Sequence, residues 1–184
     1  MRSLPLAVVT GLAILAGCGV TDLRLPPSTP NVVDTVTLSA LSAPGLSTPS
    51  AFSVANNTTV KTWQSTNFDF AYDLRAGKHE LLPLQALGFV PVRSTNPGLF
   101  LASVPFDSIK TAPLNGYIFD SAQVVAPDDV YYARSAIVCS TTGTPSYGKL
   151  EILSFDDSAK TITFKVLADI NCDYHDLTLG LPSN

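Results

Sequence analysis

The chain has 184 residues, enough for one domain with a core of its own once a leader and a linker are set aside. Apolar residues make up 46% and charged residues 14%, which argues against a disordered chain, because there is enough apolar surface to offset the ordering entropy. Eleven Lys and Arg against fifteen Asp and Glu leave a net charge of -4, and so sparse and acidic a surface cannot release phosphate counterions, which argues against nucleic acid as a partner.

The N-terminus sets the expected location. Residues 1–17 read as a secretory leader: Arg2, then an apolar run over residues 4–15, then small residues before Cys18, too short to remain as a membrane-spanning helix. The sequence Leu15-Ala16-Gly17-Cys18 resembles the lipobox of bacterial lipoproteins. The resemblance implies that the Cys18 thiol is acylated, that the leader is cut just before it, and that the new N-terminus takes a further acyl chain. Each buried methylene contributes about 0.8 kcal/mol, so two or more chains hold a protein durably in membrane lipid. Gly19 stands where an aspartate would resemble the inner-membrane retention signal, so the expected destination is the bacterial outer membrane. Residues 18–34 follow as a tether with prolines at 26, 27 and 30, an extended and semi-rigid composition.

From residue 35 to 184 the pattern predicts a single all-β domain, because the apolar period is two rather than 3.6. Strands are expected at 35–41, 59–63, 68–74, 99–104 and 120–126, separated by Pro44-Gly45, Asn56-Asn57, Gly77, Pro97-Gly98 and Asn115-Gly116. The segment holding His79, "RAGKHELLP", reads as a turn. Strands at 130–138, 147–155 and 160–168 form a C-terminal three-strand meander, the last pair joined by Asp156-Asp157-Ser158-Ala159. In the last strand Ile162, Phe164, Val166 and Ala168 face the core, while Thr161, Thr163 and Lys165 face water. Helix is scarce, one turn after Asp107 and another near residues 84–87. The architecture is an antiparallel sandwich or a partly open barrel.

Cys139 and Cys172 remain once Cys18 is acylated, and outside the reducing cytosol an even pair predicts a disulfide. Strands 130–138 and 160–168 run the same way and flank a third, ~9.6 Å apart, so residues 169–171 must fold back over the sheet end to bring the thiols together. Closing that loop contributes about 4 kcal/mol in the chain-entropy account.

Three stretches occur together in a telling order. "FDFAYDL" (68–74) is similar to the W-D-x-A-F strand of the haem-scavenging lipoproteins of the HmuY family, with Phe68 in place of tryptophan and Tyr72 in place of phenylalanine. "FDSIKTAPLNGYIFD" (106–120) resembles that family's F-D-S-x-x-x-A-P-x-x-G-Y-x-x-D segment, and "VYYARS" with "YGKLEI" resembles its closing hairpin. The resemblance spans residues 68 to about 167. It implies an all-β domain on an outer-membrane lipid anchor, with haem held between two histidines. The chain departs from the family's pattern by inserting "CSTTGTPS" in the hairpin, and its two histidines, His79 and His175, fall in none of these motifs.

Candidate sites are few. Two imidazoles facing each other across an apolar slot are what bis-histidine haem needs, and His79 and His175 are the only candidates; the bland alternative is two unrelated loop histidines. "DINCDYHD" sets Asp169, Asn171 and Asp173 at alternate positions like half a calcium loop, but Tyr174 and Gly180 stand where the glycine and the bidentate glutamate belong, so no metal site is expected. Asp69 and Asp73 share a strand face and read as a solvent-facing acidic edge, or as paired carboxylates if the protein were an enzyme. No nucleophile elbow, zinc-protease spacing or phosphate loop occurs, so no catalytic residues are assigned and the protein is expected not to be an enzyme. The expected function is a non-catalytic binding module for haem or another small hydrophobic ligand; the alternative is an adhesion or assembly module binding an envelope protein or glycan with no cofactor.

Overall fold

The computed structural model describes residues 24–45, 48–90, 95–140 and 142–183; the expected leader and Cys18 lie outside them. Ten strands follow in order: β1 (Asp34–Ser39), β2 (Ala51–Ser53), β3 (Thr58–Val60), β4 (Phe70–Arg75), β5 (Lys78–Pro83), β6 (Gly98–Leu101), β7 (Gln123–Val124), β8 (Val130–Cys139), β9 (Thr144–Asp156) and β10 (Thr161–Asp169). They form two antiparallel five-stranded sheets, β1-β10-β9-β8-β6 and β3-β2-β4-β5-β7. Neither sheet closes on itself, so the fold is a sandwich rather than a barrel. The expected meander is the centre of the first sheet, widened by β1 and β6.

The core between the sheets follows from alternation. Ile162, Phe164, Val166 and Ala168 all point into it, with Leu150 and Ile152 from β9 and Phe52, Phe70, Tyr72 and Leu81 from the facing sheet. Phe164 meets Phe52 edge-on at 5.9 Å between ring centroids and Phe70 at 6.1 Å, so three phenylalanines join the layers at geometries their ring quadrupoles favour.

The outer faces are wet only in part: Thr163 meets the exposed Thr37 hydroxyl at 2.9 Å, as the period-two reading expects, but other stretches carry apolar cover. On the first sheet the loop from Phe106 to Tyr117 and the C-terminal loop cover Val130, Tyr147 and Leu167 with Phe106, Ile109, Ala112 and Leu177. The buried Lys149 ammonium pins this cover, donating to the Phe106 carbonyl at 3.0 Å and the Ile109 carbonyl at 2.8 Å. Burial, with Lys165 nearby, lowers its pKa. On the second sheet Phe68, Ala71 and Leu84 form a smaller apolar layer with Ala51.

Two strands escaped the sequence reading. β5 contains the segment expected to turn; the turn is confined to Ala76 and Gly77, both at positive φ, which is the two-residue hairpin geometry that matches strand twist. β2 has three residues and carries no period to read.

The proline-rich segment is not a free spacer along its whole length. Asn171 Oδ1 accepts from the backbone N–H groups of Ser28 at 2.9 Å and Thr29 at 3.1 Å, and Tyr174 donates its hydroxyl to the Leu25 carbonyl at 3.2 Å. Asn31 is buried and bridges Gly180. The chain is therefore tied to the domain from Leu25 onward.

Cys139 and Cys172 stand at disulfide distance, with Cα atoms 5.6 Å apart. Cys139 closes β8 and Cys172 lies three residues past the end of β10, so the chain folds back across the end of β9 as the strand spacing requires.

Candidate ligand cleft

β8 does not run straight to its end. Its pairing with β9 shifts between Arg134 and Ile137 and again before Cys139, and this irregular stretch leaves the first sheet opposite the starts and ends of β2, β4 and β5. Between them opens a cleft of about 340 Å³. Phe68, Leu84, Phe89, Val90, Ile137 and Val138 make its apolar walls, and Asp69 lies at its floor. Phe89, Val90 and Val138 are exposed at the mouth, and Phe89 meets the buried Phe68 ring edge-on at 6.3 Å.

Asp69 is the polar centre of this end. Its Oδ2 accepts from the Val54 N–H at 2.7 Å, on the second sheet's side, and its Oδ1 from the Ala136 N–H at 3.1 Å, on β8. One carboxylate thus joins the two layers where the sandwich opens. Burial pushes its pKa up to about 6, against the backbone N–H donors that favour the ionised form.

The sequence reading of an exposed acidic edge is overturned for both aspartates, which are buried. The strand has cover on both faces, so a side chain on the polar face finds backbone donors instead of water. Asp73 accepts from the Arg75 guanidinium at 2.8 Å and from the N–H groups of Ser42 and Leu74. These bonds outweigh burial and hold its pKa below the usual carboxylate value. The two buried carboxylates are thus shifted in opposite directions.

The histidines are also separated. His79 stacks on Phe155 with ring centroids 3.7 Å apart, while His175 packs against Tyr147 at 4.6 Å. Tyr147 and Phe155 are eight residues apart on β9, on the order of 25 Å along an extended strand. Two imidazoles on one iron have their ligating nitrogens ~4 Å apart, so one chain cannot supply His79 and His175 to a single haem. Neither histidine lines the cleft.

Each ring has its own local role. His79 Nε2 faces Asp157 at 3.2 Å, and its Nδ1 lies 2.8 Å from the Tyr72 hydroxyl. Burial, then the charges of Asp157 and Asp73, push the Tyr72 pKa up to about 12, so this phenol keeps its proton beside the imidazole. Burial lowers the pKa of His175.

The alternate carboxylates near the C-terminus diverge as well. Asp169 accepts from Asn171, while Asp173 accepts from the Thr144 hydroxyl at 2.7 Å. Among the described residues no group of three His, Cys, Asp or Glu is placed to hold a metal ion.

The antiparallel sandwich defines the class of fold, and the cleft at its open end is the site that fold provides. No protein-family model, curated protein or solved structure matches the chain.

Proposed function

We propose that this protein is a lipid-anchored envelope binding module that holds a small apolar molecule in the cleft between its two sheets and performs no chemistry on it. The observation that carries this reading is the cleft itself, a concave apolar lining around a single buried carboxylate, the composition of ligand sites in general. Asp69 has both oxygens engaged by backbone donors and no second titratable side chain in the lining, which suits binding better than proton transfer. The lipobox at Cys18 and the disulfide pair both fit an oxidising envelope compartment.

The resemblance to haem-scavenging lipoproteins suggests a planar hydrophobic ligand, but the ligand set of that family does not carry over to histidines at opposite ends of β9. A small apolar molecule that needs no axial imidazole pair is the better fit.

The reading is tested by titrating the acyl-free mature chain, Cys18→Ser, with the apolar fluorophore 1-aminoanthracene. Saturable fluorescence enhancement at one equivalent is expected, with roughly tenfold weaker binding in Val138→Asp, because a carboxylate at the mouth must be desolvated on binding. Haemin is expected to give no bis-imidazole spectrum. Absence of saturable probe binding, or a bis-imidazole haemin spectrum lost in His79→Ala or His175→Ala, would overturn it.

A further inference from the structure

Exposed apolar side chains also gather away from the cleft, around a contact between the two ends of the domain. Asn31 and Gly180 exchange both backbone hydrogen bonds, at 2.7 Å and 3.0 Å, so residues 30–32 and 179–181 form a short antiparallel ribbon. Side chains alternate along such a ribbon. Asn31 turns inward and donates Nδ2 to the Asp176 carbonyl at 2.8 Å, while Pro30 and Val32 beside it and Leu179 and Leu181 beside Gly180 are left open to solvent. Leu179 is 70% exposed, Leu181 58% and Val32 48%. Val33 and Leu25 are exposed as well.

Isolated exposed leucines need no explanation, but a group of exposed apolar side chains on one ribbon marks a contact surface. The chain leading to it names the occupant. Leu25 is tied to Tyr174, and seven residue steps separate it from Cys18, ~24 Å at full extension. Acyl chains on Cys18 would therefore keep this end of the molecule within that distance of the bilayer, whatever path the intervening residues take. The ribbon lies just before the start of β1 and past the end of β10, the same end of the sandwich as the β8 stretch that walls the cleft.

We propose that the domain rests on the membrane that holds its acyl chains, with the outer face of the 30–33 and 179–181 ribbon seated in the lipid headgroup region. The proposal rests on acylation of Cys18. It gives the module a fixed orientation, cleft end toward the lipid, so that an apolar ligand passes between bilayer and cleft with little exposure to water.

The test uses the full-length acylated protein on vesicles of phosphatidylethanolamine and phosphatidylglycerol. A nitroxide is attached at Leu179→Cys or, as reference, at Val124→Cys, an exposed position on the far edge strand of the second sheet. Collision rates with dissolved oxygen and with a water-soluble nickel chelate are then compared. The label at 179 is expected to meet oxygen several-fold more and nickel several-fold less than the label at 124, and Leu181→Asp in the same chain is expected to restore nickel access. Equal nickel access at both positions in protein that floats with the vesicles and carries acyl chains by mass would overturn the seating while leaving the anchor in place. Protection of 179 that persists without vesicles, together with a doubled mass in light scattering, would assign the ribbon to a second copy and overturn it too. A mature chain without acyl mass that fails to float would remove the anchor on which the proposal rests.

Discussion

Asp69 concentrates the physical tension of the candidate site in one side chain. In the fold its carboxyl keeps its proton up to about pH 6, whereas in the unfolded chain it releases it near 3.8. The native state therefore binds the extra proton between these values, and stability falls as pH rises through that window, by on the order of 3 kcal/mol for a shift of this size. Asp69→Asn cannot ionise and is expected to flatten the difference in urea midpoint between pH 4 and pH 6.5. An unchanged slope in that variant would mean another group carries the dependence. Nothing in the sequence marked Asp69 as buried, since its alternation with Phe68 and Phe70 is what a half-wet strand also shows. The decisive partners, the N–H groups of Val54 and Ala136, lie 15 and 67 residues away.

At the scale of elements, β6 is held by a close approach that only glycine allows. A Cβ on Gly98 would meet the Ile118 carbonyl oxygen at 2.9 Å and Tyr117 Cβ at 3.0 Å, both on the segment that bridges β6 at Leu99. Gly98→Ala is expected to cost about 1–3 kcal/mol, the usual range for overpacking, measured as a lower urea midpoint with unchanged slope. No loss of stability would show that the 117–118 segment yields freely. The strands of the meander were legible because each is long, alternates and ends in turn formers; β8, β9 and β10 lie within a few residues of their expected bounds. Both single turns of 3₁₀ helix, Leu84–Leu87 and Phe106–Ser108, were legible too. β5 was not, because Lys78, His79 and Glu80 at its start look like loop, while its pairing with β4 decides the matter. The cover on the outer faces was illegible for a related reason: it is built by irregular segments whose apolar residues have no period.

At the scale of the molecule, the Cys139–Cys172 link closes a 33-residue separation and ties β8 to the C-terminal loop that also receives residues 25–31. Replacing both cysteines by serine is expected to lower unfolding free energy by about 2–4 kcal/mol. A much larger loss, with the fold gone altogether, would mean the C-terminal loop cannot dock without it. The Cys139–Cys172 proximity was expected from the count of cysteines, but the cleft beside it did not follow from the sequence. Its lining comes from five separate stretches between Ser53 and Val138, joined only when the two sheets stack. The histidines show the reverse error: residue types suited to haem were present, and the register along β9 keeps them apart.

The central claim is that the cleft is where this protein binds, and it is tested most directly by methyl chemical shifts of Leu, Ile and Val during a titration with 1-aminoanthracene. The account predicts saturating shifts at Leu84, Val90, Ile137 and Val138, and little change at Val124, Leu179 and Leu181. Shifts centred on Leu179 and Leu181, or spread without saturation over the surface, would contradict it.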